Sequence, residues 1–441
     1  MVQIGVRGPQ DCFFLAPNQT TYWIGSYPRH TNFAMAELQM PYDSVGGLGK
    51  RHITAKIRRA GDLLSRIYKY DELAPITYST TATDPYDLTT SPVSAAWYVD
   101  AFGHSVLTSI EYQIGSHPFD RQSGEYMELH SLALDPPGRN VGAMVGRYDN
   151  YGDLIFAGQN TQRFYTPLRA WFCNFYEQAL PMVSLYWHDF CVVFDQRPMS
   201  QLYHVSGNAV GNAILPTDLN DSYLLCNFVY LDKAERASFA SSKHEYLFDQ
   251  VQHLGEDTHV ATTSNYNHSI RFNHPVQQLL WVIQRDAVID GTASPAAANG
   301  GNHWFDFSGV PYNESGFGPL HDTDGFTRAQ IFLNNHERTI DHHASYYRLV
   351  QFYERLPNFL PKNRWIYTYC FGLKPDYLLD TGSCNFSRMD TAYLRLVYPT
   401  LAALQWTGRF RCWARNKNLA KNCQSSYFSY IFGLSSANLF L

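Results

Sequence analysis

Charge is scarce in this chain of 441 residues: Asp, Glu, Lys and Arg together make up 17%, against roughly 25% in an ordinary soluble domain. Much of the surface is therefore expected to be uncharged. The formal net charge is −5, and the basic residues do not gather into the clusters needed to displace counterions from a phosphate backbone, which excludes a direct grip on nucleic acid. The densest basic group, Lys50-Arg51-His52 followed by Lys56, Arg58 and Arg59, falls largely on alternating positions and reads as one solvated strand face. No stretch approaches the 18 apolar residues of a membrane-spanning helix, and Met1 to Arg7 lacks the apolar core of a secretory signal. The expectation is a protein made and kept in the cytosol. Eight cysteines lie scattered at 12, 173, 191, 226, 370, 384, 412 and 423 with no C-x-x-C pair, so free thiols are expected in place of a zinc knuckle or disulfide framework. Without secretory entry, the sequons at Asn18, Asn220, Asn267, Asn313 and Asn385 are expected to stay unmodified.

Helical periodicity is also scarce, and short strand-like runs separated by Gly, Pro, Asn and Asp take its place. Ile53, Ala55 and Ile57 alternate with Thr54, Lys56 and Arg58, the period of a half-buried strand. Val183 to Phe194 begins with the same alternation and ends in an apolar run, predicting one continuous strand. Leu279 to Ile283 is uninterrupted apolar sequence suited to a sandwich core, with Pro275 near its start, where a missing donor is tolerated. One helix is predicted from Lys233 through Phe239 and beyond, with Asp232 as its cap. Hydrophobic residues reach 45% and the chain holds 31 Tyr and 28 Phe, enough for a sizeable core and for aromatic interfaces.

The length predicts two domains. Val205 to Asp221, rich in Gly, Asn, Pro and Asp, is the natural connection, which places the units at 1–210, with an N-terminal arm, and 211–441. A long Gly/Ala/Asn/Pro-rich stretch over 290–325 predicts an exposed loop. A faint internal echo pairs Ala170-Trp171-Phe172-Cys173 and the Val183 to Phe194 run with Ile366 to Phe371 and Tyr393 to Tyr398, as neighbouring strands of two similar units.

Three groups invite a chemical reading. His336, Glu337, Asp341, His342 and His343 contain metal-ligating side chains, but their spacing matches no H-E-x-x-H helix and reads as a solvated polar segment. Asp11 with Cys12, or Cys173 with His188, lack the local frame of a nucleophile and read as structural. Gly46-Gly47-Leu48-Gly49-Lys50 lacks phosphate-loop spacing and precedes a strand in place of a helix. No catalytic, cofactor or metal residue is assigned, and no enzyme activity is expected.

Several segments, in order along the chain, resemble the double-jelly-roll major capsid proteins of nucleocytoplasmic large DNA viruses. Arg29-His30-Thr31-Asn32-Phe33 looks like that family's R-H-T-N-F, and Arg59-Ala60-Gly61-Asp62-Leu63 like its basic turn before a buried strand. Ile114-Gly115, Phe119-Asp120 and Gly124-Glu125-Tyr126 are similar to I-G-G-x-x-I-D…G-E-W. Ala179 to Leu185 is similar to the A-L-P-L-I-A-L strand that closes the first barrel. The second half is more distinctive: Phe272 to Val282 resembles F-N-H-P-V-K-E-L-I-W-V, and Gly382 to Asp390 resembles G-T-x-N-F-S-R-I-D. The chain departs from the pattern at its end, where Ala414 to Asn422 replaces an aliphatic strand and a longer tail runs to Leu441.

The resemblance implies an all-β fold of two tandem eight-stranded jelly-roll barrels with long loops and a few short helices. It further implies a homotrimer whose six barrels form a pseudo-hexagonal tile of an icosahedral virion capsid, assembled in the host cytoplasm. Neighbouring capsomers and minor capsid proteins are the implied partners, with the capsid's inner face near a membrane. Exposed aromatics are then expected on barrel flanks, and the 290–325 loop on the exterior. A second reading is a viral attachment or carbohydrate-binding jelly roll, in which Trp304, Phe305 and Phe307 would offer a sugar platform.

Overall fold

The computed structural model describes residues 6, 8–13, 21–25, 27, 29–44, 46–78, 96–136, 140–148, 151–185, 188–205, 213–260, 265–289, 301–308, 324–358, 364–398, 407–422 and 428–430. Sixteen strands carry the architecture. The first eight are β1 (Phe33–Met40), β2 (Ile53–Ile57), β3 (Leu63–Leu73), β4 (Leu107–Ile114), β5 (His117–Gln122), β6 (Gln162–Pro167), β7 (Phe190–Gln196) and β8 (Asp221–Leu231). The next eight are β9 (His244–Val260), β10 (Asn265–Ser269), β11 (Pro275–Arg285), β12 (Arg328–Leu333), β13 (His336–Glu337), β14 (Tyr367–Cys370), β15 (Ala392–Val397) and β16 (Thr407–Asn422).

Their pairing repeats. The first eight strands form two antiparallel sheets ordered β1-β8-β3-β6 and β2-β7-β4-β5, and the second eight form β9-β16-β11-β14 and β10-β15-β12-β13. Adding eight to every strand of the first pair of sheets yields the second pair. Each set is the two-sheet, eight-stranded order of a jelly roll, in which long connections return a strand beside an early one. The tight turns repeat as well: β4 and β5 are joined by Gly115-Ser116 and β12 and β13 by Asn334-Asn335, all four residues at positive φ. Two-residue turns of this kind match the right-handed twist of their strands, and Gly and Asn tolerate the conformation best.

Alternation governs the strands as predicted. Ile53, Ala55 and Ile57 of β2 are buried while Lys56 is exposed. In β11 every residue after Pro275 is buried, because the strand lies between β16 and β14 in its sheet. One contiguous apolar core runs through both barrels.

Several predicted elements differ. Val183 to Phe194 is not one strand. Only Leu180–Pro181 extends β3's sheet, pairing with Leu63 and Leu64; Ser184 N–H then donates to Pro181 O at 3.0 Å in a turn, and β7 begins at Phe190. Ala170 to Cys173 is a 3₁₀ turn over Trp171–Cys173, where Trp171 packs on Tyr246 and Phe248. The first half of the echo therefore pairs a turn with a strand, and the true counterparts are β6 and β14, whereas its second half does bring together equivalent strands, β7 and β15. Lys233–Ser241 is a helix (α2), but the Asp232 side chain makes no capping hydrogen bond. The connection near 210 does not separate the barrels, since β8 completes the first sheet between β1 and β3; residues 206–212 themselves lie outside the described residues. The change of barrel comes at α2, between β8 and β9. The Ala414 to Asn422 departure is no interruption either, because all nine residues belong to β16.

Candidate assembly site: the seam between the barrels

After β5 the chain enters a helix, α1 (Gly124–Ala133), in which all ten residues are buried. Ser123 caps it, its hydroxyl accepting from Tyr126 N–H at 3.2 Å. Gly124 is required by close approach, since a Cβ there would lie 2.2 Å from His104 O and 2.4 Å from Leu107 O. A helix buried on every face has no amphipathic period, which is why the sequence did not reveal it; Ser123 ahead of Glu125 was the one signal available.

Buried charges on α1 are each matched. Glu128 accepts from Arg147 Nε at 2.8 Å and Nη2 at 2.7 Å and lies 2.8 Å from His104 Nδ1. Burial would raise the Glu128 carboxyl, but Arg147 and His104 outweigh it and hold the group ionised. Glu125 behaves alike: burial raises it, while Arg197 and Arg411 bring it down to about 2. Arg197 Nη2 stands 2.5 Å from Glu125, and Arg411, from β16 of the second barrel, stands 3.8 Å away. Truncating either partner of such a pair would strand a buried charge.

The seam continues along β5 and β9. Gln250 Nε2 donates to Phe119 O at 2.9 Å and Val251 N–H to Asp120 Oδ1 at 3.1 Å. Burial pushes the Asp120 carboxyl up to about 7. On the next segment, Gln178 Nε2 donates to Leu247 O at 2.7 Å. At another point of the seam, residues 301–308 insert against the first barrel: Trp304 Nε1 donates to Gln201 O at 2.9 Å, and Arg197 stacks 3.9 Å over its ring. His303 stacks on His204 at 4.2 Å; burial lowers both imidazoles below their ordinary value. Arg364 bridges Phe305 O and Asp100.

This placement corrects the sugar-platform reading. Trp304, Phe305 and Phe307 are at most 8% exposed and are committed to holding the barrels together. The rest of the 290–325 loop, apart from 324–325, lies outside the described residues. Exposed large apolar side chains instead concentrate elsewhere: Tyr22, Trp23, Ile24 and Tyr27 before β1, Phe33 and Met35 on β1, and Ile340, Leu349, Leu373, Tyr377 and Leu379 on the second barrel.

The other sequence candidates do not converge. His336 pairs opposite Leu333 and His343 opposite Arg328, which puts them at opposite ends of β12, about 17 Å apart at ~3.4 Å per residue. Asp341 pairs with Arg328 at 2.9 Å, and His342 stacks on Tyr346. Among the described residues no group of three or more His, Cys, Asp or Glu is arranged to hold a metal. Burial pushes the Cys173 thiol up to about 12, so it stays protonated and is a poor nucleophile. Asp11 accepts from Gly8 N–H in a turn, and the Cys12 side chain lies outside the described residues. In the glycine loop, Leu48 N–H donates to Asp218 Oδ1 at 2.8 Å. An acidic side chain thus occupies an amide that a phosphate would need. The basic residues from Lys50 to Arg59 are exposed, and Asp189 pairs with Lys56 at 2.6 Å and Arg59 at 3.7 Å.

Known proteins match this chain over most of its length. Residues 21–232 fit the family model described as the major capsid protein N-terminus, and residues 235–432 fit that of the large eukaryotic DNA virus major capsid protein. The two models meet at α2, where the sheets change. The chain is 27% identical to the major capsid protein of Phaeocystis pouchetii virus, covering 96% of this chain and 97% of that one. It is 28% identical to the major capsid protein of Paramecium bursaria Chlorella virus 1, covering 90% and 87%. Its fold matches the crystal structure of PBCV-1 VP54 with a TM-score of 0.73 at 24% identity, over 94% of this chain and 100% of that one. With both halves matched in order and the jelly-roll strand order present twice, the chain belongs to the major capsid proteins of large eukaryotic DNA viruses.

Proposed function

We propose that this chain builds the virion shell as a homotrimer whose six barrels make one pseudo-hexagonal capsomer. The observation that carries the reading is the doubled strand order, which supplies two similar walls per chain, so that three copies supply six. A three-fold ring uses a heterologous contact, in which one flank meets a different flank of the next copy. Divergence between two duplicated barrels provides those unlike flanks. The low charge and the exposed aromatic and aliphatic side chains suit an interface of the obligate kind, which commonly buries more than ~2,000 Å². The role is structural, with neighbouring capsomers and minor capsid proteins as partners, assembly in the host cytoplasm, and the capsid's inner face next to a membrane. Sedimentation of the purified protein tests the reading: three chains of 50.5 kDa give about 152 kDa for a closed trimer. Electron micrographs of the same material are expected to show three-fold particles of hexagonal outline. A monomer at micromolar concentration overturns the proposal.

A further inference from the structure

Residues 301–308 of the second barrel form a strap that meets the first barrel at a stack of rings. The strap lies against the turn Met199–Gln201 and the short strand Tyr203–Val205, which pairs with Ala96–Tyr98. Asn302 Nδ2 donates to Ser200 O at 3.2 Å and to Tyr203 O at 3.1 Å, and Trp304 Nε1 donates to Gln201 O at 2.9 Å. Between these bonds the partly buried His303 ring lies on that of His204, with centroids 4.2 Å apart, and His204 lies in turn on Trp97 at 5.6 Å. One ring of the second barrel thus closes a column begun by two rings of the first.

The charges around this column are already balanced. Among the described residues the carboxylates acting on the stack are Asp306 and Asp100, and each has a cationic partner, Arg285 at 3.6 Å and Arg364 at 2.8 Å. Glu125 is held by Arg197, whose guanidinium covers the Trp304 ring, and Asp286, next to the turn that supplies Val288 O to His303 N–H, is bound by Arg409. A proton on either imidazole would therefore add a charge with no counter-ion of its own, beside a second imidazole and near Arg285. Burial lowers both rings, and Asp306 and Asp100 pull His303 back only in part. The strap's bonds to its own barrel are separate: Gln284 Nε2 donates to Trp304 O at 2.9 Å and Arg285 Nε to Ser308 O at 3.1 Å. It can part from the first barrel without leaving the second, at the cost of far fewer bonds than a strand ladder.

We propose that His204 and His303 form an acid-released clasp: when both rings take up a proton, residues 301–308 part from the first barrel while the strands of both barrels stay paired. Parting surrounds each imidazolium with water in place of another cation, so opening is linked to the uptake of up to two protons. Below the ordinary imidazole value of about 6.5, two rings allow a rise of up to ~100-fold in the opening equilibrium for each pH unit. The join is tight at neutral pH and loose in an acidic compartment, in a chain whose barrels remain folded. The clasp lies within one chain, so it stands or falls independently of the trimer.

Hydroxyl-radical footprinting of the full chain, with mass spectrometry reading each tryptophan, tests this from about pH 7.5 down to about pH 4.5. Trp304, 8% exposed in the closed clasp, is expected to gain ~10-fold in modification as its ring enters water, while Trp281 in β11, 0% exposed, gains nothing. The rise is expected to be steeper than a one-proton curve. His204→Phe and His303→Phe keep a ring in the column without a titratable nitrogen. Each is expected to flatten the curve to one proton at most, and the double variant to keep Trp304 protected at the acid end; should the double variant fail to fold, the single variants carry the same test. Trp304 that stays protected in the wild-type protein at the acid end overturns the clasp. Trp281 and Trp304 rising together would mean that the barrel itself unfolds, which overturns it as well. A wild-type curve retained in both single variants assigns the trigger to other groups and rejects the histidine pair.

Discussion

The two barrels share a strand order and differ in what fills their connections. In the first, the path from β5 to β6 is long and folds inward: α1 is buried on all sides, its carboxylates are paired with Arg147 and Arg197, and the His104 ring hydrogen-bonds to Glu128. In the second, the path from β13 to β14 is shorter and its helix leaves Leu349 exposed. Conversely, the link from β11 to β12 sends Trp304 back onto the first barrel. Strand order tolerates divergence in the connections because ladder pairing is satisfied by backbone groups, whatever the loops contain. The teaching is that duplication supplied the walls, and the connections made one of them an internal seam.

The largest effect is expected where the first barrel departs most from the second. Glu128→Ala leaves Arg147 and His104 without their carboxylate in a buried site and is expected to cost about 3–5 kcal/mol of stability. Urea unfolding measures it, and a cost below ~1 kcal/mol would mean the ion pairs are not what holds α1 inside. Trp304→Ala removes the second barrel's insertion into the first and is expected to cost about 3 kcal/mol, near the lower end for a buried aromatic. An unchanged denaturation midpoint would place the strength of the seam in β5 and β9 alone.

Acid sharpens the comparison further. Burial lowers His130 and His253 to about 4, and lowers His204 and His303 at the seam as well. Between about pH 4 and the ordinary imidazole value near 6.5 the unfolded chain binds protons at these rings and the folded chain does not, so stability rises with pH through that window. Asp120 runs the other way, because its folded carboxyl titrates at about 7 and its unfolded one near 3.8; its contribution falls as pH rises from about 4 to 7. The several imidazoles outnumber the one carboxyl, so the melting temperature is expected to climb from pH 4.5 to 6.5, more steeply in Asp120→Asn. A slope unchanged by that substitution would locate Asp120's titration elsewhere. The smallest effect belongs to the linker between barrels: Asp232→Ala is expected to cost under ~0.5 kcal/mol, against the ~1 kcal/mol of a bonded cap, since its side chain makes no capping bond. A loss of a full kcal/mol by thermal melting would show that this cap forms in solution.

Much of this was legible in the residues. Alternation identified β2, the apolar run identified the core of β11, and the ordered motifs from Arg29 to Asp390 pointed to two jelly rolls, because period-two burial is a local property written directly into sequence. Where the sequence misled, a distant partner had intervened. Ala170 to Cys173 has the composition of a strand, yet Trp171 is held in a turn by rings of the second barrel. Trp304, Phe305 and Phe307 lie in a loop-like stretch, yet they are core. The segment before Asp221 has the composition of a linker, yet β8 beyond it returns to the first sheet.

Sequence by itself determined the class of fold, the number of barrels and the family, since each depends on local periodicity and on short motifs kept in order. Tertiary structure decided which strand ends the first barrel, which aromatics are buried, and which flanks meet inside the chain. Those outcomes depend on pairings between residues more than 100 positions apart, as when β8 closes on β1, and no local pattern encodes which of two similar surfaces its distant partner will cover.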